Sequence, residues 1–188
     1  GPIIIGAALN SFNEVHLQGS SINTTGAGRV GVHSLSMRAS AGIGSLATPF
    51  ATSSTILRAE NIDPSGRPIV ISSSGQLILG PVRQVGSTNN GSIDIRSSGS
   101  IDVASGVLLP NSSAQLGGLV SVEGSGNVSL VSLGPVDIGG QVSTGAGTIG
   151  LSAGGAILTV KPSGVVSSSG GAIGLSAANV VIDGRVVS

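Results

Sequence analysis

One seven-residue segment occurs twice near the C-terminus, and it constrains the fold more than any other feature of the sequence. Gly147–Ala153 reads Gly-Thr-Ile-Gly-Leu-Ser-Ala and Gly171–Ala177 reads Gly-Ala-Ile-Gly-Leu-Ser-Ala, so six of seven positions are identical at a spacing of 24 residues. Weaker copies of the Gly-x-apolar-x-apolar pattern begin at Gly91 and Gly126. Apolar residues at every second position predict a strand with one buried face.

Each copy is followed by further short apolar segments. Second strands are predicted at Gly99–Val103, Gly134–Ile138 and Gly155–Val160, and weaker third strands at Gln141–Ser143 and Gly164–Val166. Two or three short strands in about 20 to 25 residues are typical of one coil of a solenoid. We therefore predict an all-β parallel β-helix of about eight coils with some longer loops, forming a rod roughly 40 Å long.

The composition agrees with a narrow aliphatic core and excludes several functions. Aromatic residues make up 1% of the chain, which suits stacked Val, Ile and Leu better than an ordinary globular core. There is no Cys, so a disulfide framework, a cysteine zinc site and a thiol nucleophile are excluded. The net charge is +0, which argues against a nucleic-acid partner. The mean hydropathy of +0.47 argues against disorder.

The chain is predicted to form one continuous domain of uneven regularity. Residues 1–2 resemble the scar of a removed tag, residues 3–90 form less regular coils with loops, and residues 91–188 form regular coils. A loop is expected to leave the rod at Leu108–Ser113, and a strand at Leu119–Val122 has no clear place in the register. No run of 18 apolar residues predicts a membrane span, and no signal peptide is expected at the start.

The repeats carry a resemblance to a known family. The Gly-x-Ile-x-Leu-Ser-Ala copies, together with Ala39–Thr52 and its Ala-Gly-Ile-Gly-Ser and Thr-Pro elements, resemble the repeat region of filamentous-haemagglutinin-type exoproteins of Gram-negative bacteria. The resemblance covers roughly residues 28–188. It implies a right-handed parallel β-helix, an outer-membrane secretion partner for the parent chain, and a role as a stalk or adhesive fibre. No binding motif comes with it.

Acidic residues on outward strand positions are the main candidates for chemistry. At a period of two, Asp94, Asp102 and Asp137 should face solvent, and β-helix enzymes place acid pairs on such faces. Asp94 and Asp102 are expected on successive faces of one coil, with no further acid stacked beside them at a spacing of 20 to 25. We therefore predict no catalytic residue, no cofactor and no metal site, and interpret these acids as charges that discourage lateral association.

Basic residues give a second candidate. Seven of the eight basic residues are Arg, a side chain suited to carboxylate or sulfate, and Arg58, Arg83 and Arg96 could share one face. The two histidines, His16 and His33, are too few for a metal site.

The prediction for function is a structural stalk or adhesive segment of a secreted or surface-anchored bacterial adhesin, without catalysis, at the outer cell surface or outside the cell. One alternative is a module that binds a surface glycan, or a protein of a host or partner cell, through loops near Pro49–Ser54 or Leu108–Gln115. Another is a carbohydrate-active β-helix enzyme, for which the two Phe residues supply little sugar stacking.

Overall fold

A computed structural model describes residues 1–86, 88, 90–108 and 115–188, and within these ranges the chain contains strands and no helix. No helix that could cross a membrane is therefore found in the described ranges. The strands are β1 (Ile3–Ile5), β2 (Ala8–Gly19), β3 (Ile22–Thr24), β4 (Arg29–Ala39), β5 (Phe50–Thr52), β6 (Ile56–Asn61), β7 (Ile69–Ser73), β8 (Leu77–Gln84), β9 (Ile93–Ser97), β10 (Ile101–Val103), β11 (Val107–Leu108), β12 (Gln115–Leu116), β13 (Leu119–Val122), β14 (Val128–Ser132), β15 (Val136–Ile138), β16 (Gln141–Thr144), β17 (Ile149–Val160), β18 (Val165–Ser168), β19 (Ile173–Ile182) and β20 (Arg185–Val187).

Each coil stacks on the previous one through parallel strand pairs. One column of register partners runs through the whole chain and marks eight coils, numbered here from the N-terminus: Ile3, Ile22, Ile43, Ile69, Ile93, Val128, Ile149 and Ile173. The shortest coil spans 19 residues, from Ile3 to Ile22, and the longest spans 35, from Ile93 to Val128. The predicted all-β parallel solenoid of about eight coils is confirmed.

The interior is a narrow stack of aliphatic side chains. Ile71, Ile95, Leu130 and Leu151 are successive register partners, and each is at most 1% exposed. Phe50 lies above Ile71 in the same column and is fully buried. Stacked side chains of similar width fill such a core without large rings, which is why one buried Phe suffices in the described residues.

Buried hydroxyl groups close one corner of the solenoid. Ser73, Ser97 and Ser132 are register partners on consecutive coils, and each is buried. Each Oγ accepts a hydrogen bond from the backbone N–H of the glycine two residues later, at 3.4, 3.1 and 3.0 Å respectively. The hydroxyl therefore satisfies a backbone donor at the bend, as side chains of Ser and Thr commonly do in turns.

The glycine that opens each repeat is required by close backbone packing between coils. A Cβ on Gly171 would lie 2.0 Å from the carbonyl oxygen of Gly147, and a Cβ on Gly147 would lie 2.1 Å from that of Gly126. Gly150 differs, because a Cβ there would meet no atom within 4 Å. The first glycine of the motif is thus structural, whereas the second faces open space.

A pair of buried amide side chains lies inside the N-terminal half. Asn61 and Gln84 are register partners with no exposed surface. Asn61 Nδ2 donates to Gln84 Oε1 at 2.9 Å and to the Arg67 carbonyl at 2.8 Å, and Asn61 Oδ1 accepts from the Gly42 N–H at 3.1 Å. Gln84 Nε2 donates to the same Arg67 carbonyl at 3.0 Å. The two amides therefore tie the turn after β6 to the core.

Two segments that the sequence left open have definite places. Leu119–Val122 pairs in parallel with Pro81–Gln84 on one side and Gln141–Thr144 on the other, so it is a regular rung. The predicted loop at Pro49–Ser54 is wrong, because Phe50–Thr52 is a strand and Ser54 is fully buried. Pro49 suggested a loop, but it directly precedes the strand, where its missing N–H costs nothing.

The loop predicted at Leu108–Gln115 lies largely outside the described residues. At its base β11 and β12 form an antiparallel pair, with Val107 opposite Leu116. Residues 109–114, between these strands, are not described. The insertion makes the fifth coil the longest.

Candidate functional site

Two carboxylates from neighbouring coils lie side by side on the outer face. Asp102 in β10 and Asp137 in β15 are register partners, so their backbones are about one strand spacing, roughly 4.8 Å, apart. Their side chains are 31% and 37% exposed. Lys161, which directly follows β17, places Nζ 3.9 Å from Asp102 Oδ1 and 3.5 Å from Asp137 Oδ2. The three side chains link coils 5, 6 and 7.

Burial dominates the electrostatics of this cluster. It raises the pKa of Asp102 above its usual value; the Lys161 charge acts in the opposite direction, and Asp137 raises the pKa further. Asp102 Oδ1 is buried and accepts no hydrogen bond from a described residue. Ionised Asp102 is therefore held at a cost that the nearby ammonium only partly offsets.

Sequence reasoning missed this pair because it searched at the wrong spacing. Asp102 and Asp137 are 35 residues apart, since the hairpin insertion lengthens the coil between them, whereas the search used spacings of 20 to 25. Asp94 lies on the preceding face in β9, as expected, and its carboxylate pairs with Arg96 at 2.9 Å. The signal that could have found the pair is the matching strand sequence, Ile-Asp-Val and Val-Asp-Ile.

The cluster has the carboxylate spacing of an acid–base pair but not its arrangement. Two carboxylates on adjacent strands are close enough for glycoside chemistry in principle. Here the Lys161 ammonium lies within 4 Å of both, so the arrangement is an ion cluster between coils. No group of three or more His, Asp and Glu residues that could hold a metal occurs in the part of the chain that the structure describes.

A ladder of ion pairs crosses the N-terminal coils on a second outer face. Arg38, Glu60 and Arg83 are successive register partners in β4, β6 and β8. Arg38 Nε lies 3.0 Å from Glu60 Oε1, and Arg83 Nη2 lies 3.4 Å from Glu123 Oε1. These pairs are partly exposed and contribute at most about 1 kcal/mol each. Opposite charges in register chiefly favour the observed alignment of coils.

Arg58 is the most buried basic side chain of this face, with 17% of its side chain exposed. Its guanidinium contacts the Glu14 carboxylate, which also lies 3.4 Å from His16 Nε2. Nε and Nη2 of Arg58 are buried and have no hydrogen-bond partner among the described residues. Burial lowers the pKa of Arg58, so Glu14 does not fully compensate its charge.

A shallow groove of about 420 Å³ lies beside Arg58 on coils 2 to 4. Ser36, Arg38, Arg58, Glu60 and Pro81 contribute to its walls. It therefore brings two guanidinium groups, a carboxylate and a hydroxyl together in one concave surface. This groove is the candidate site with the most varied chemistry.

The predicted grouping of Arg58, Arg83 and Arg96 is partly wrong. Arg58 and Arg83 lie on the paired strands β6 and β8, but Arg96 lies on β9, whose partners are β7 and β14. The face changes because a corner separates β8 from β9. Hydrogen bonds from the guanidinium to Asp94 raise the pKa of Arg96.

A tight turn surrounds the most buried carboxylate of the N-terminal half. Asp63 is 3% exposed. Its Oδ1 accepts hydrogen bonds from the Ser65 N–H and Oγ at 2.8 and 2.6 Å, and its Oδ2 accepts from the Arg67 N–H at 3.2 Å. Burial alone would raise the pKa of Asp63, but these hydrogen bonds and the Arg67 charge outweigh it and lower the pKa. The ionised form therefore stabilises this turn.

Comparison with known proteins adds no relative to these observations: no protein-family model, no curated protein and no solved structure matches the chain.

Proposed function

We propose that the chain is a structural stalk or adhesive segment of a secreted or surface-anchored bacterial adhesin, and that it carries out no catalysis. The observation that carries this proposal is the unbroken register of eight coils. Seven spacings of about 4.8 Å give a rod about 34 Å long from first coil to last. Each coil adds length without adding a new core, which is the property that a spacer needs.

The sequence resemblance to filamentous-haemagglutinin-type repeats supports the extracellular part of the proposal. On this reading the parent chain is exported through an outer-membrane partner of a Gram-negative cell. Surface glycans, or proteins of a host or partner cell, are the partners that an adhesive segment would contact.

Repeat deletion tests the spacer role. Removing residues 149–172 joins Thr148 to Ile173 and leaves the seven-residue motif intact, because these two repeats stack residue on residue. We expect this variant to fold and its maximum dimension in small-angle X-ray scattering to shorten by about 4.8 Å. Removing residues 149–160 takes out only part of a coil and serves as the matched control, which should lose the cooperative fold. A full-coil deletion that unfolds, or that keeps its length, contradicts the proposal.

A second candidate function is binding through the β11–β12 hairpin, which is favoured by its departure from the regular rungs. The test is binding of the whole chain to an immobilised panel of glycans and matrix proteins, with an unrelated β-helix as control. Saturable binding that disappears when residues 108–115 are replaced by a short turn supports a binding module. Binding no greater than that of the control supports the spacer alone.

A carbohydrate-active β-helix enzyme is the third candidate, favoured by the stacked Asp102–Asp137 pair. The bridging Lys161 ammonium and the lack of a nearby sugar-stacking ring among the described residues favour the structural role. Release of reducing ends from a polysaccharide panel, abolished by Asp102→Asn, would establish the enzyme instead.

A further inference from the structure

The groove beside Arg58 contains a cation that the protein itself only partly satisfies. The Arg58 guanidinium is mostly buried, and Nε and Nη2 find no hydrogen-bond partner among the described residues. Nη1 is the remaining donor of this guanidinium. A buried charge of this kind normally has a hydrogen-bonded partner, an ordered water or a bound ion.

The neighbouring side chains supply the other contacts of a small binding site. Arg38 uses Nε to bond Glu60, and its two terminal nitrogens make no hydrogen bond to a described residue. The Glu60 carboxylate, with 32% of its side chain exposed, retains acceptor capacity. Ser36, the register partner of Arg58, adds a hydroxyl, and Pro81 adds an apolar wall.

We propose that this groove binds a saccharide unit that carries a carboxylate, such as a uronic acid. The carboxylate accepts hydrogen bonds from Arg58 and Arg38, while Glu60 and Ser36 bond the ring hydroxyls. Guanidinium groups match a carboxylate because their planar donors can bond both of its oxygens.

The size and polarity of the groove agree with such a ligand. A volume of about 420 Å³ lies within the usual range of small-molecule sites, about 300 to 1,000 Å³. A neutral sugar would leave the Arg58 charge without its extra counter-charge, whereas a simple anion would leave Glu60 and Ser36 unused. The site concerns ligand recognition and does not depend on the spacer role, since a rod extends equally well without a ligand.

The experiment compares two ligands that differ only in charge. Digalacturonate and its fully methyl-esterified form are titrated into the whole chain, and binding is followed by calorimetry and by backbone amide shifts in NMR spectra. We expect digalacturonate to saturate, with shifts centred on Ser36 and Glu60, and to bind at least about tenfold more tightly than the ester.

Variants identify the residues responsible. Arg58→Lys keeps a positive charge but loses the planar donors, and should weaken digalacturonate binding at least about tenfold. Arg38→Gln, at a more exposed position, gives the same test if Arg58→Lys does not fold. Arg185→Gln is the matched control, because Arg185 lies on β20 at the other end of the solenoid. Its affinity should equal that of the parent.

Three results overturn the proposal. Equal affinity for the acid and the ester shows that the Arg58 charge is not recognised. Unchanged binding in both Arg58→Lys and Arg38→Gln places the ligand elsewhere. No saturable binding at millimolar digalacturonate shows that water alone occupies the groove, an outcome that leaves the repeat-deletion result unaffected.

Discussion

Replacing Asn61 by Ala should destabilise the N-terminal coils strongly. The Asn61 side chain is fully buried and makes three hydrogen bonds, to Gln84 Oε1, the Arg67 carbonyl and the Gly42 N–H. Each bond contributes about 1 kcal/mol net, so their loss costs about 3 kcal/mol, and groups left buried without a partner add to that figure. This is a large part of a total stability of about 5 to 15 kcal/mol.

Equilibrium urea unfolding followed by far-UV circular dichroism measures this loss. Asn13→Ala is the matched control, since Asn13 is exposed and its side chain makes no hydrogen bond to a described residue. Its effect should stay within about 0.5 kcal/mol. The double variant with Gln84→Ala should lose less than the sum of the single losses, because the two amides bond each other. A loss below about 1 kcal/mol for Asn61→Ala refutes the assigned role of the amide pair.

Three further substitutions test other parts of the account by the same unfolding assay. Hydrogen bonds lower the pKa of buried Asp63, so its stabilisation is present above the unfolded value of about 3.9 and is lost as pH falls through the folded pKa. Asp63→Asn should therefore lose less stability than the parent between about pH 5 and about pH 2; an equal loss contradicts the assignment. Burial raises the pKa of Asp102, so Asp102→Asn should stabilise the chain at neutral pH. That gain should shrink as pH falls through the raised folded pKa, and a loss of stability at neutral pH would count against it. Gly171→Ala places a Cβ 2.0 Å from the Gly147 carbonyl and should cost about 1 to 3 kcal/mol, whereas Gly150→Ala, which meets no atom within 4 Å, should be neutral or stabilising. Equal effects of the two glycine substitutions would show that coil packing is looser than described.

The regular coils were predictable from sequence because their apolar pattern repeats at nearly constant spacing. The two seven-residue motifs stack residue on residue, from Ile149 on Ile173 to Ala153 on Ala177. In a solenoid such a repeat fixes the strand, its buried face and its neighbour together. The fold class therefore follows from a short pattern.

The side-chain clusters were not predictable, because they depend on coil lengths that vary. The 35-residue fifth coil brings Asp102 beside Asp137, and a fixed period of 20 to 25 residues hides that contact. The groove beside Arg58 depends on a local irregularity in the register between Leu57 and Ala59. Neither event leaves a signal in the local sequence pattern.

The stacking of eight coils is the central claim, and one distance tests it directly. Gln18 and Ser167 are joined by a continuous series of register partners through Arg38, Glu60 and Arg83, then the corresponding serines of β13 and β16. The chain has no Cys, so Gln18→Cys and Ser167→Cys give a doubly spin-labelled protein without background. Six coil spacings predict a narrow distance distribution centred at about 29 Å by double electron–electron resonance. A broad distribution, or a maximum displaced by more than about two coil spacings, would contradict the eight-coil solenoid.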